Sequence, residues 1–397
     1  MAKTDALAAL LASSEKKFNI VAGSMDDIAT DVTFISTGNL AIDYMLGGGI
    51  PLGRSVELSG FPSSGKTTTA LQAAVWLQKV ILAGGDETLG IRPDHRILYM
   101  DYEQAMDKEY AEKLGLDTHH ESFLYSAPDS LEDGAEFILA VLETGMVKFV
   151  LVDSVAAMIP NAVADNDVSK SLPAAAAKSL AVFGKKLNPI LAHNNATVVF
   201  INHLMEKIEM GGARRPGMPA ATTTPGGMAM KYFASVRVEF KQMKQHKGEI
   251  YDKVSGTNIP AVVATDVRVK SVKNKVAPPF REAIVRVRFG KGFDNFWTAM
   301  SVLIGNKLVM YQTGHYYFHK VADKGLAPEW MKRATTGTQR PYIKGDKNLY
   351  KAADKYPEWA EGLVALAKEV LESDEYGDPE DSLNVDLDTG EVEEDED

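Results

Sequence analysis

The segment GFPSSGKT (60–67) satisfies the pattern G-x-x-x-x-G-K-[ST] at every fixed position. Those residue types suit phosphate chemistry. Gly60, Phe61, Pro62, Ser63, Ser64 and Gly65 form a loop whose backbone N–H groups, with those at the start of the following helix (Lys66, Thr67, Thr68), can cradle an anion. In such a loop Lys66 reaches the β- and γ-oxygens of a nucleoside triphosphate, and the Thr67 hydroxyl ligates Mg²⁺. ATP and Mg²⁺ are therefore the expected cofactors.

A phosphate loop needs a second oxygen ligand for the metal, at the end of a neighbouring strand. KFVLVDS (148–154) supplies it as Asp153, at the carboxyl end where open α/β sheets place their ligands. Hydrolysis also needs a group that orients or deprotonates water. YMDYEQAMD (99–107) carries Asp101 and Glu103, and strand alternation would put both on one side. From the residues alone, that pair serves equally well as a solvent-facing end or as a cap for the next helix.

The elements that must hold these groups follow from periodicity. RSVELSG (54–60) precedes a helix beginning at 66, RILYMDYE (96–103) precedes another, and KFVLVDS (148–154) and ATVVFINH (196–203) are continuous apolar β-branched runs. Strands alternating with helices predict a parallel sheet covered on both faces. Three more strands are expected at ASVRVEF (234–240), ATDVRVKSVKNK (264–275) and EAIVRVRFG (282–290). Residues 4–18 predict a short helix and 22–31 a linker; the clustered aromatics after 294 and a final helix, EWAEGLVALAKEVLE (358–372), predict a small separate domain.

Composition narrows the class. With 397 residues, 45% apolar and 24% charged, the chain suits a soluble globular protein with more than one unit. It has no cysteine, which excludes disulfides and thiolate metal sites and fits a reducing cytoplasm. No run approaches the roughly 18–20 apolar residues of a membrane span, and ALAALLA (6–12) fits an amphipathic helix better than a secretory signal. The net charge of −11 hides a division: residues 372–397 hold fourteen Asp or Glu and no Lys or Arg, and without them the remainder carries +3. The tail reads either as a disordered solubility segment or as a polyanion mimic that competes for a basic surface.

FISTGNLAIDYMLGGGIPLGR (34–54), the phosphate loop, DYEQAMDKEYAEKLGLD (101–117), VDSVAAMIP (152–160), TTTPGGMAMKYFASVR (222–237) and VKSVKNKVAPPF (269–280) occur in that order. Together they closely resemble the bacterial RecA recombinase and its phage relatives, over roughly residues 10–300. The resemblance implies an α/β fold: a RecA-type P-loop ATPase core with a mostly parallel central sheet, an N-terminal helix/strand segment and a small C-terminal α+β domain. The expected divisions are 1–33 (N-terminal oligomerisation segment and linker), 34–293 (core), 294–371 (C-terminal domain) and 372–397 (acidic tail). The implied activity is a DNA-dependent ATPase that polymerises on single-stranded DNA and drives homologous pairing and strand exchange. A ring-forming motor of the same core fold, such as a replicative helicase, is the alternative.

Residue roles follow from the same resemblance. Glu103 matches the catalytic carboxylate, Asp107 and Tyr110 the adenine contacts, and Lys273 with Lys275 a lysine pair reaching ATP across a subunit interface. His203 stands where the bacterial protein has a glutamine that senses the γ-phosphate. DNA contacts are implied in two loops. The first spans about 160–173 and is followed by Lys178 and Lys185 on a helix. The second runs from Lys207, Ile208 and Met210 through Arg214 and Arg215 to Thr222, Thr223, Thr224, Gly226 and Gly227. Lysines and arginines there suit phosphates, Ile208 could wedge between base steps, and TTTPGG offers donors that read no sequence. Basic clusters at 231–247 and 268–291, the latter with eight Lys or Arg against one acid, support the same partner. The implied partners are single- and double-stranded DNA and further copies of the chain in a helical filament, with a recombination mediator or single-strand-binding protein left open. His203, Met205, the longer second loop, the stretch AGGDETLGIRPDH (83–95) and the Phe61–Pro62 pair depart from the bacterial pattern and point to the phage branch or a divergent bacterial copy. The expected location is the bacterial cytoplasm, or that of the host for a phage protein.

Overall fold

The computed structural model describes residues 32–161, 173–206, 222–333 and 340–373, with Ala9, Leu10, Ser13 and Lys16. The chain divides into Met1–Thr33 and Phe34–Asp397. In the first unit the Ser13 amide donates back to the Ala9 carbonyl at 3.2 Å, one helical turn; the rest of the helix expected over 4–18, and the 22–31 linker, lie outside the described residues.

In the second unit, helix α1 (Leu40–Leu46) begins under an Asn39 cap that accepts from the Ala41 and Ile42 amides, and it ends at Gly47, whose φ of 90° suits glycine. The chain then alternates strand and helix: β1 (Ser55–Gly60), α2 (Lys66–Leu82), β2 (Arg96–Asp101), α3 (Lys108–Lys113), β3 (Phe123–Ser126), α4 (Leu131–Glu143), β4 (Val147–Asp153), α5 (Pro173–Asn194), β5 (Thr197–His203) and α6 (Gly227–Phe233). Strands β6 (Val236–Asp252), β7 (Thr257–Asn274), β8 (Glu282–Arg288) and β9 (Gly292–Phe293) follow. Together the strands make one nine-stranded sheet in the order β9-β8-β7-β6-β1-β5-β4-β2-β3. It is parallel from β6 to β3 and antiparallel from β6 to β9.

Both faces are buried, as the continuous apolar strands require. Ile97, Tyr99, Phe149, Leu151, Val199 and Ile201 enter the core beneath α2. Their neighbours Leu98, Met100, Val150, Val152, Val198 and Phe200 enter the opposite core with α4, α5 and α6. This period of two assigns each strand residue to a layer. Phe200 is fully buried and meets Phe183 and Phe233 edge-on at centroid distances of 6.2 and 5.6 Å.

Beyond the sheet, α7 (Asn295–Gly305), a four-stranded sheet from Met310 to Lys344, α8 (Asp346–Lys355) and α9 (Pro357–Glu372) enclose a third core around Leu303, Phe318, Trp359 and Leu363. No helix among the described residues is long and apolar enough to cross a membrane.

Three boundaries differ from the sequence reading. β2 stops at Asp101, so Glu103 lies past the strand rather than in alternation with it. β3 was not anticipated; its pattern offers only one buried residue, Phe123. The hairpin β6–β7 extends well beyond 240, pairing Lys241 with Arg268 and finally Asp252 with Thr257, and its mostly exposed residues, apolar ones such as Met243 and Tyr251 included, leave no buried stripe to read. Phe200→Ala should cost about 3–5 kcal/mol through lost burial and a residual cavity; a denaturation midpoint equal to the parent's would contradict this placement.

Candidate functional site

Four adjacent strands bring the predicted chemistry to one edge. β1 ends at Gly60, β2 at Asp101, β4 at Asp153 and β5 at His203. Register aligns them, pairing Gly60 with His203 and Asp101 with Asp153.

Between β1 and α2 the phosphate loop turns through Ser63 (φ 58°) and Gly65 (φ 92°), and Lys66 opens the helix. Lys66 is 4% exposed, and its ammonium donates to the Phe61 carbonyl at 2.9 Å. Burial lowers the Lys66 pKa to about 8, against the opposing pull of Asp153 and Glu103. The Ser64 hydroxyl is buried without a partner among the described residues. A loop of inward-facing donors around a desolvated ammonium fits a phosphate chain. Gln242, on β6, braces this loop by donating to the Ser63 carbonyl at 2.6 Å; nothing in the sequence pattern signals that contact.

Thr67 donates to Asp153 at 3.3 Å, and the Tyr99 hydroxyl donates to the same carboxylate oxygen at 2.9 Å. Burial raises the Asp153 pKa, the Tyr99 hydrogen bond opposes that, and the charge of Glu103 adds to it. No three His, Cys, Asp or Glu side chains gather into a metal cage among the described residues. One hydroxyl and one carboxylate instead fit Mg²⁺ held largely through water and phosphate oxygens. Asp101 is committed elsewhere, accepting from the Met106 amide at 3.0 Å and the Tyr125 hydroxyl at 3.1 Å.

Glu103 lies exposed beside them, its side chain 36% accessible. One of its oxygens accepts from Ser154 and, at 3.1 Å, sits against His203 Nε2. Burial alone would raise its pKa, but the Ser154 and His203 hydrogen bonds, with the charges of His203 and Lys66, bring it below the ordinary value. An ionised carboxylate at the cleft is what a water-activating base requires.

Tyr110 lines the cleft on both sides of the loop, and its hydroxyl shares a 2.8 Å hydrogen bond with Thr68. Asp107 also lines the cleft, with one oxygen capping α3 by accepting from the Tyr110 amide at 2.9 Å. Phe289, Val287 and Gly290, at and just past the end of β8, share the lining of this cleft with Tyr110. Those three were missed in the sequence; the half-exposed Phe289 ring adds apolar surface to the lining that Tyr110 shares.

The predicted lysine pair lies outside this lining and divides. Lys273 donates to the Lys231, Tyr232 and Ala234 carbonyls at 2.8, 3.2 and 2.6 Å, closing the end of α6. Lys275 is exposed and makes no hydrogen bond or ion pair among the described residues. Lys178 and Lys185, seven residues apart, are exposed on one face of α5 with Val182 between them. Met205–Glu206 pairs antiparallel with Thr222–Thr223, joining the ends of the second loop. Thr224 is buried, so its hydroxyl is not presented to solvent, and Gly226, in a left-handed conformation, opens α6 into Gly227. Lys207, Ile208, Met210, Arg214 and Arg215, most of the first loop (162–172) and the acidic tail from 374 lie outside the described residues.

The Lys66 environment sets a pH dependence. Between about 8 and 10.5 the folded chain has released a proton that the unfolded chain still holds, so stability rises with pH in that window. Lys66→Met removes the titration. Its stability advantage at neutral pH should therefore shrink as pH rises through this window, as read by melting of both nucleotide-free proteins; a constant difference would refute the assignment.

Across known families, the model described as the RecA N-terminal domain matches residues 5–294, well over half of the 397.

Proposed function

The chain belongs to the RecA family, and from that premise we propose that it is a DNA-dependent ATPase that forms helical filaments on single-stranded DNA and carries out homologous pairing and strand exchange. Family membership supports ATP use and a role in recombination in general terms. The observation that supports the finer reading is the convergence of Lys66, Thr67, Asp153, Glu103 and His203 at four neighbouring strand ends, with the His203 strand leading directly into the joined ends of 207–221.

In this reading the phosphate loop and Lys66 hold the β- and γ-phosphates, and the base lies between Tyr110 and Phe289. Thr67 and Asp153 would hold Mg²⁺, which would supply charge neutralisation at the phosphates. Glu103, kept ionised by Ser154 and His203, takes a proton from the attacking water. His203 exchanges its contact with Glu103 for one with the γ-phosphate. Lys275 supplies a cation to the nucleotide of a neighbouring copy, where it acts only in the assembled filament. Lys178 and Lys185, with the basic residues of 207–221, neutralise DNA phosphates. Residues 34–293 form the motor, 1–33 the link between copies and 294–371 an appended domain. DNA and further copies of the chain are the partners in this reading, and the cytoplasm its setting.

Two outcomes are expected. Lys66→Ala should reduce ATP turnover by at least about a hundredfold while retaining the parent's circular dichroism; persistent hydrolysis stimulated by single-stranded DNA would sink the site assignment. In the parent chain, turnover should rise with single-stranded DNA and joint molecules should form with homologous duplex. A ring instead of a filament in electron micrographs would favour a translocating motor and defeat this reading.

A further inference from the structure

Behind His203 lies a buried polar cluster that the chemistry above does not use. Asn202 is fully buried between β1 and the turn that precedes α6. Its amide nitrogen donates to Glu57 at 2.8 Å and to the Pro225 carbonyl at 3.1 Å, and its oxygen accepts from the His203 amide at 3.0 Å. Glu57, also fully buried, is ion-paired with Arg237. The Lys273 ammonium, which closes the far end of α6, lies close enough to feel both charges.

A carboxamide has two N–H donors and one carbonyl. All three are engaged here, on three elements: the β1 strand that feeds the phosphate loop, the Pro225 turn that follows the second loop, and the His203 backbone. Such a group is costly to bury unless satisfied, and each partner it holds is fixed in position. An apolar side chain would serve the core better if packing alone mattered.

We propose that Asn202 is a positioning residue that couples the nucleotide cleft to the stem of the 207–221 loop. A shift of His203 at the γ-phosphate pulls on Asn202, and through the Pro225 carbonyl on the 222–226 turn. The buried Glu57–Arg237 pair is the fixed point against which that movement acts. The inference rests on the functional reading above and names a residue that touches neither nucleotide nor DNA.

Asn202→Ala in the full chain tests it, with Asn202→Ser read instead should the alanine variant not fold. Turnover is measured with and without single-stranded DNA, and the affinity for a fluorescein-labelled oligothymidylate with and without a non-hydrolysable ATP analogue. Both the DNA stimulation of turnover and the nucleotide-dependent gain in DNA affinity should fall by about tenfold, while DNA-free turnover stays within about threefold of the parent. A purely structural role would lower the melting temperature and leave both ratios unchanged, and that result overturns the inference. If the parent chain itself shows no stimulation by DNA, the functional reading fails and the coupling with it.

Discussion

The cost of taking one ammonium out of water organises the cleft. Lys66 is nearly inaccessible, and its depressed proton affinity shows that the Phe61 carbonyl and the Asp153 and Glu103 charges do not fully replace its hydration. A tetra-anionic phosphate chain is the partner that would. The loop around it is held from three sides: by α2, by the β1 strand end, and by Gln242 reaching across from β6. Binding an anion there offsets a desolvation cost already incurred in folding, which is how a preorganised site gains affinity.

The sheet makes that arrangement possible. Parallel strands expose one kind of end at each edge, so four of them deliver Gly60, Asp101, Asp153 and His203 side by side without long loops. Burial on both faces fixes register, because a one-residue slip would exchange the layer of Val150 and Val152 with that of Phe149 and Leu151. The same slip would carry Asp153 away from Thr67 and Tyr99. Packing of the core residues thus sets the distances between Asp153 and its partners Thr67 and Tyr99.

What could be read from the sequence was what is local or periodic. The phosphate loop and Asp153 sit at fixed spacings on strongly patterned elements, and the structure brings them together. Glu103 was tied to its role only by resemblance, since it lies beyond the strand and its partners Ser154 and His203 are distant in the chain. Phe289 and Gln242 were invisible because β6 and β8, distant in the chain, run in the same direction as β1 and carry these residues past its end to the phosphate loop. The outer hairpin, 241–263, escaped because an exposed two-stranded ribbon buries little and so imposes no pattern on its residues. Asn202 lies in an apolar run where a single amide reads as an interruption, and only the buried Glu57 and the Pro225 carbonyl explain it.

The balance of charge in one chain bears on assembly. Asp101, Glu103 and Asp153 face the cleft, whereas Lys66 is the one lysine or arginine lining it among the described residues. Adding a nucleoside triphosphate adds several negative charges, and one divalent ion with one ammonium leaves a surplus at the γ-phosphate where transition-state charge grows. Lys273 cannot make up the difference while its three donors close α6. Lys275, two residues on, is exposed and makes no hydrogen bond or ion pair among the described residues, yet it does not line its own chain's cleft. A cation that is available but misplaced within the monomer is the arrangement expected where hydrolysis is completed by a neighbouring copy. In the proposed reading the pair VKNK divides its labour: Lys273 closes the helix that follows the second loop, and Lys275 is left for the neighbouring copy.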